Sequence, residues 1–293
     1  MRGKIIKGVG GSYSVNTQEG IFNCNVRGIF RKKNITPTVG DVVVIDMLDT
    51  EEKTATITEI EERKNCLLRP RVSNIDQVIL TFAAKDPAIN IDLLDKFLLM
   101  AEREKLHAVI CINKIDLATE ESISHLKKTY EAIGYPVLSV SVETGMGFDK
   151  LLLLLEGKIS VFAGPSGVGK SSIINRLAPH ANMETGELSA KIKRGKHTTR
   201  HAELLELYHN GRVGSSYLVD SPGFTSLHLD SIEPDLLPEL FAEFRPFAQQ
   251  CRFHNCRHIN EPGCVVKEQV EEGISLARYQ RYVSISKEIS EKR

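Results

Sequence analysis

The eight residues Gly164-Pro165-Ser166-Gly167-Val168-Gly169-Lys170-Ser171 match G-x-x-x-x-G-K-[ST], and no other feature limits the possible folds as strongly. The pattern has chemical meaning only when a buried strand delivers the chain into a loop that opens a helix. Both conditions hold. Ile159-Ser160-Val161-Phe162 is an apolar run just before it, and Ser172 to Leu177 is patterned as a helix just after. The glycines let backbone N–H groups close around phosphates, and the helix N-terminus adds its positive dipole. Lys170 is placed to neutralise β- and γ-phosphates, and the Ser171 hydroxyl to ligate Mg²⁺. The nucleotide-binding candidates here are Gly164, Pro165, Ser166, Gly167, Val168, Gly169, Lys170, Ser171 and Ser172. A chance glycine-rich turn is the alternative, and the flanking strand and helix argue against it.

The surrounding chain supplies the sheet that such a loop needs. Val78 to Phe82, Val109 to Ile112 and Val137 to Val140 are further apolar runs. Helical patterns over Ile91 to Lys105, Glu120 to Ile133 and Phe148 to Leu155 separate them. Buried strands alternating with helices predict a parallel, helix-covered α/β sheet. A hairpin is predicted from Leu204 to His209 and Arg212 to Val219, turning at Asn210-Gly211.

Asn113-Lys114-Ile115-Asp116 follows the 109–112 run, at the carboxyl end of a strand, where open α/β sheets bind ligands. A carboxylate at Asp116 accepts from both N1–H and the exocyclic amine of guanine, and adenine has no N1–H to offer it. Unpaired polar groups would then penalise ATP. Alone, N-K-x-D also fits a surface turn; beside a phosphate loop it selects a guanine nucleotide. Ser141 and Val142, in Ser139-Val140-Ser141-Val142-Glu143-Thr144-Gly145, fall where a ring-packing turn belongs. Asp220-Ser221-Pro222-Gly223 ends a strand; Asp220 can hold Mg²⁺ through water and the Gly223 N–H can reach a γ-phosphate. An ordinary Ser-Pro-Gly turn is the competing reading. Thr198 and Thr199, in the basic segment Lys193 to Arg200, are candidates to complete the Mg²⁺ shell. In ordinary GTPases the phosphate loop comes first and N-K-x-D later. Here Asn113–Asp116 precedes Gly164–Ser171 and Asp220–Gly223 comes last, so the domain reads as a circularly permuted GTPase.

Catalysis is the weak point of the motif set. A glutamine that orients water often follows the glycine of D-x-x-G, but Phe224 stands there and cannot bond to water. Lys170, Thr199 and His197 are the catalytic candidates, with His197 the best internal group to orient water. A solvated loop histidine is the plainer reading of His197.

Two flanking segments complete the chain. Residues 1–65 carry about five short strands between glycine turns, among them the alternating Phe22, Cys24 and Val26. They predict a small OB-type barrel, with an SH3-like barrel or an incomplete sandwich as alternatives. Arg27, Arg31, Lys32 and Lys33 form a basic stretch there, readable as a nucleic-acid contact or as a solvated charge run. Residues 231–293 read as polar and helical, with helices over Asp235 to Phe244 and from Glu268 onward. Between those helices lies Cys251-x4-Cys256-x-His258-x5-Cys264, three thiolates and an imidazole able to satisfy one tetrahedral, structural Zn²⁺, with His254 in reserve. Disulfides are the alternative. Cys24, Cys66 and Cys111 read as small buried hydrophobes. With 66–230 as the GTPase unit, three units result.

Lys+Arg and Asp+Glu both number 38, so the molecule is no uniform polycation and nucleic acid must be met by a local patch. No apolar run is long enough for a membrane span or signal core, so a cytoplasmic protein with reduced thiols is expected. A permuted G domain between a β-barrel and a Cys/His module resembles the RsgA family of small-ribosomal-subunit biogenesis GTPases, which includes YjeQ and YloQ. The resemblance rests on the motifs above together with Gly195-Lys196-His197-Thr198-Thr199, and covers essentially the whole chain. It implies GTP hydrolysis late in 30S maturation, stimulated by the subunit, with 16S rRNA contacts from the barrel and zinc module. A monomer with no membrane partner is expected. An RNA-binding protein with incidental hydrolysis, a P-loop kinase and a metal-delivery GTPase are the competing functions.

Overall fold

The computed structural model describes residues 1–28, 30, 35–68, 71–179, 202–209, 212–220 and 232–291. Its first five strands are β1 (Arg2–Val9), β2 (Ser12–Thr17), β3 (Gly20–Val26), β4 (Val42–Asp49) and β5 (Thr54–Ile60). They pair in the order β1-β2-β3-β5-β4, and β4 returns to β1. That closure with a parallel β3–β5 pair is the five-stranded OB barrel. Alternation explains why the ring closes. Ile5, Val15, Phe22, Cys24, Val43, Ile45, Ala55 and Ile57 point inward and are buried, while Asn23 and Asn25 face out. A hairpin that sequence patterning does not show, β6 (Cys66–Leu68) and β7 (Arg71–Ser73), packs beneath the barrel. Asp41, fully buried, ties the two together: it accepts from Ser73 Oγ at 2.6 Å and from Arg63 Nε at 2.7 Å.

The central sheet has β8 (Gln77–Ala83), β9 (His107–Asn113), β10 (Val137–Ser139), β11 (Ile159–Ala163), β12 (Glu203–His209) and β13 (Arg212–Asp220), ordered β10-β9-β8-β11-β13-β12. All are parallel except β12, which pairs antiparallel with β13. Among the described residues four helices cover it: α1 (Ile91–Arg103), α2 (Glu120–Ile133), α3 (Phe148–Leu155) and α4 (Lys170–Leu177). Along β8, Val78, Leu80 and Phe82 join the core under α1 and α2, whereas Ile79 joins the core under α3 and α4. Both faces are therefore dry, which is why these strands read as unbroken apolar runs. Asn90 caps α1 by accepting from the Leu93 N–H at 3.0 Å. The helix stops at Arg103, two residues before the predicted end, because Lys105 turns left-handed at φ 54°. Through a Lys7–Glu203 ladder pair, β12 also adjoins β1, so barrel and central domain share one eleven-stranded sheet.

The C-terminal region is helical but more broken than its sequence predicts. No α-helix covers Asp235 to Phe244. Instead there are 3₁₀ turns at Leu237–Leu240 and Ala242–Phe244, then α5 (Arg245–Ala248). Pro238 has no N–H to donate, and Phe241 swings into extended backbone at ψ 101°. That swing sets its ring against Phe244 and Tyr282, at 5.2 and 5.0 Å between centroids. The helix predicted from Glu268 is also split. After α6 (Val265–Glu268) the chain turns through Glu271, at φ 76°, and α7 spans Leu276–Glu291. Arg278 of α7, 1% exposed, bonds Glu243 at 2.7 Å and lies 2.5 Å from an Asp95 oxygen of α1, as an ion pair not aligned for a hydrogen bond. Arg281 and Tyr130 also bond Asp95, so the C-terminal unit is clamped onto α1 by a buried charge cluster. Among the described residues no helix is long and apolar enough to cross a membrane.

Candidate functional site

The loop after β11 begins at Gly164, whose φ of 138° and position explain the residue: a Cβ there would lie 2.1 Å from the Thr81 carbonyl oxygen of β8. Gly169 is equally constrained, at φ 94°, with a Cβ falling 2.3 Å from the Asn113 amide. Between them the loop wraps around the Lys170 ammonium, which donates to the carbonyls of Gly164 at 2.8 Å and Pro165 at 2.6 Å. Burial holds the Lys170 pKa below the ordinary lysine value. Ser171 and Ser172 stand half-buried in the first turn of α4, and Ser166 and Gly167 face solvent.

Asn113, at the end of β9 and 1% exposed, binds two distant segments at once. Its amide donates to Val168 O at 2.9 Å, and its oxygen accepts from the Val142 N–H at 3.4 Å. Lys114 adopts the left-handed conformation, φ 59°, and reaches back over the loop, donating to Gly167 O at 3.0 Å and to Asp86 O. Asp116 is exposed, with one carboxylate oxygen accepting from the buried Ser141 hydroxyl at 2.5 Å. Asp220 ends β13, adjacent to β11. Burial, and after it the nearby Glu203 carboxylate, hold its pKa above the usual carboxylate range.

The structure therefore brings Asn113, Lys114, Asp116, Ser141, Val142 and Gly164 to Ser172 to one rim of the sheet, with Asp220 two strands from β9's inner neighbour on the same carboxyl-end side. His197, Thr198, Thr199, Gly223 and Phe224 lie outside the described residues, as do Arg31, Lys32 and Lys33. Arg27 is described and pairs with Asp46 at 2.7 Å. Sequence reasoning missed Asp86, whose carbonyl anchors Lys114, and Arg176, which donates to Val142 O at 2.6 Å and stacks on Phe148. Neither belongs to a motif; both act through folded proximity.

A second cluster lies in the C-terminal unit. Cys251, Cys256, His258 and Cys264 each offer one ligand atom, and all four atoms fall within 4.8 Å of one another. His258 Nδ1 is 3.6 Å from the Cys251 sulfur and 3.3 Å from that of Cys264. Ligands about 2.0–2.3 Å from a tetrahedral Zn²⁺ sit about this far apart, and three thiols with one imidazole are its preferred donors. His258, left-handed at φ 58°, is buried in the cluster, whereas His254 is exposed, which decides between the two histidines. Burial pushes the Cys264 thiol up to about 12 and lowers the His258 pKa, which keeps that imidazole neutral, the form that ligates. The other cysteines hold no such geometry. Cys24 and Cys111 are buried, their thiols pushed up to about 11 and about 12, but Cys66 is only half-buried.

A phosphate loop, an N-K-x-D loop stapled to it by Asn113, and a chain order that runs base-recognition strand first define a circularly permuted P-loop GTPase. Residues 60–230 match the RsgA GTPase model and residues 2–57 the RsgA N-terminal domain model. The chain belongs to the RsgA family of GTPases, hydrolases acting on GTP. It is 45% identical over its whole length to the small ribosomal subunit biogenesis GTPase RsgA of Alkaliphilus metalliredigens, covering 99% of that protein. Against RsgA of Clostridium perfringens identity is 46%, again over 100% of this chain and 99% of the relative. The crystal structure of YloQ, a circularly permuted GTPase, superposes with a TM-score of 0.84 at 36% identity, over 100% of this chain and 96% of that one. YjeQ from Thermotoga maritima gives 0.85 at 37%, over 100% and 99%.

Proposed function

We propose that this chain hydrolyses GTP to GDP and phosphate as a late maturation factor of the small ribosomal subunit. It acts as a cytoplasmic monomer whose turnover rises on the subunit and whose barrel and zinc module touch 16S rRNA. The observation that carries the nucleotide half is the Asn113 amide, which joins phosphate loop, N-K-x-D loop and 141–145 turn into one cleft. The assembly half is supported by relatives named small ribosomal subunit biogenesis GTPases, matched along their whole length. The units are taken as 1–65, 66–230 and 231–293.

In this reading the backbone of Gly164 to Ser172 cradles the phosphates, and Lys170 leaves its two carbonyl partners for the β- and γ-oxygens. Ser171 and Asp220 hold Mg²⁺, joined by Thr198 and Thr199, and Gly223 meets the γ-phosphate. Bound there, Mg²⁺ neutralises charge developing on the phosphates. Lys114 lines the base site, Ser141 and Val142 close it, and Asp116 reads the base. Cys251, Cys256, His258 and Cys264 hold one structural Zn²⁺. Arg27, Arg31, Lys32 and Lys33 meet RNA phosphates.

Asp116→Asn is expected to weaken GTP binding about 100-fold and to favour xanthine nucleotides, because an amide then faces two donors of guanine. Parallel titrations with GTP and XTP check this; an unchanged GTP affinity refutes the base assignment. The assembly role is tested by single-turnover hydrolysis with and without small subunits. With Phe224 in place of glutamine, unassisted turnover is expected on the order of 10⁻⁴ s⁻¹, and subunits should raise it severalfold or more. His197→Ala is expected to lose the stimulation while GTP affinity stays nearly constant, since the imidazole acts on water. Full stimulation in that variant moves the water-orienting group onto the ribosome, and no stimulation of the natural protein overturns the assembly reading.

A further inference from the structure

Three charged residues from three strands stand in one cross-strand row. Lys7 on β1 is the ladder partner of Glu203 on β12, and Glu203 is the ladder partner of Asp220 on β13. Directly opposed residues in antiparallel strands project from the same face with Cβ atoms about 5 Å apart. The row therefore runs from the barrel's ammonium, through one carboxylate, to the carboxylate at the nucleotide site. The Lys7 Nζ lies 2.8 Å from Glu203 Oε2. Strand pleating alone would not put it there. Gly3 and Ile5 face the barrel interior, so the period of two points residue 7 inward as well. A register shift between Ile5 and Lys7 breaks the period and turns Lys7 outward onto Glu203. Two more contacts seat the barrel on the same hairpin: Lys4 Nζ lies 4.6 Å from the Tyr217 ring centroid, and Asn16 donates to Glu206 at 3.2 Å and to the Tyr217 hydroxyl at 3.0 Å.

We propose that Lys7 and Glu203 are positioning residues for the nucleotide-bound divalent cation, with Lys7 of the barrel setting how much of the Glu203 charge reaches the Asp220 site. The inference rests on the reading that Asp220 holds this cation. Two facing carboxylates attract Mg²⁺ more strongly than one, and Lys7 offsets the second. Seating of the barrel against β12 thereby governs cation retention, and by linkage cation binding influences how firmly the barrel is seated.

The experiment follows release of a fluorescent GDP analogue from the full chain as Mg²⁺ is varied, a readout independent of hydrolysis. Lys7→Gln is expected to lower the half-effective Mg²⁺ concentration about threefold, and Glu203→Gln to raise it about fivefold, both effects shrinking with added salt. Lys7→Arg should match the natural protein. The exchange Lys7→Glu with Glu203→Lys keeps an ion pair across β1 and β12 but sets a cation opposite Asp220. It is expected to raise the Mg²⁺ requirement about tenfold or more. If that exchange restores the natural response, the row is only a clasp and the inference is overturned. If Lys7 and Glu203 variants behave as the natural protein while Asp220→Asn raises the requirement, the inference fails and the cation reading survives. If Asp220→Asn changes nothing, both fall.

Discussion

Lys170→Ala is expected to lower GTP turnover by about 10²–10³-fold or more, with little change in the fold. The ammonium lies inside the phosphate loop, where it donates to the carbonyls of Gly164 and Pro165. Those two bonds curl the loop around the ammonium, which the proposed reading sets against the phosphate oxygens. Charge that develops on the β- and γ-oxygens during transfer then lacks its nearest partner in the variant, which is a loss felt in the transition state more than in binding. Stability should hardly move, because both carbonyls can turn to water and the hydrophobic partners of α4, Ile173, Ile174 and Leu177, are untouched. A Tm within a few degrees of the natural protein, together with single-turnover hydrolysis at background, is the expected pair of results. Undiminished turnover would remove Lys170 from the chemistry.

Loss of the metal is expected to unfold the C-terminal unit and to weaken the domain it rests on. Metal analysis should find about one Zn²⁺ per chain by the four-ligand count, and Cys256→Ala should lose it. The unit spans 232–291 in the described residues, a size at which a hydrophobic core alone is marginal, and a structural zinc supplies on the order of 10 kcal/mol or more. Two of the four clustered residues, Cys256 and Cys264, are themselves part of its core, with Phe244, Tyr282 and Ile285. The consequences reach α1. When α7 leaves, Asp95 of α1 loses Arg278 and Arg281 and keeps the Tyr130 hydroxyl, so the clamp on α1 is released. Hydrogen exchange after chelation should therefore rise steeply over 249–291 and measurably over 91–103. Full protection of the C-terminal residues in a metal-free sample would contradict this.

How much of this was legible in the sequence depends on how local each signal is. The phosphate loop, N-K-x-D and the cysteine spacing are compact patterns whose chemistry fixes residue types at short separations, so the fold and the candidate site were readable from them. Barrel strands betrayed themselves by alternation at Phe22, Cys24 and Val26, and the parallel strands by unbroken apolar runs. The break at 235–244 was hidden because Pro238 is tolerated near a helix start, and the packing of Phe241 against Tyr282 and Phe244, which accompanies its extended backbone, joins residues far apart in sequence. The sequence already set His258 among the candidate ligands with His254 in reserve, and in the structure His258 lies in the cluster while His254 is exposed. The Lys7–Glu203 seam joins residues almost 200 positions apart, and no local pattern marks such a pair.

The chain order has a consequence for synthesis. Translation delivers β8, β9 and β10 well before β11, although β11 is the strand that covers the other edge of β8. At about 5–20 residues per second, the roughly 75 residues between Ala83 and Ile159 take on the order of 4–15 s to appear. Throughout that interval a largely apolar strand, buried along its whole length in the finished protein, presents a bare row of backbone donors and acceptors. An unpermuted relative would make its phosphate-loop strand first and face no such wait at this edge. Permutation thus moves the hazard of misassembly from the folded molecule to the nascent one, where the chain is most exposed to its own copies on a crowded polysome.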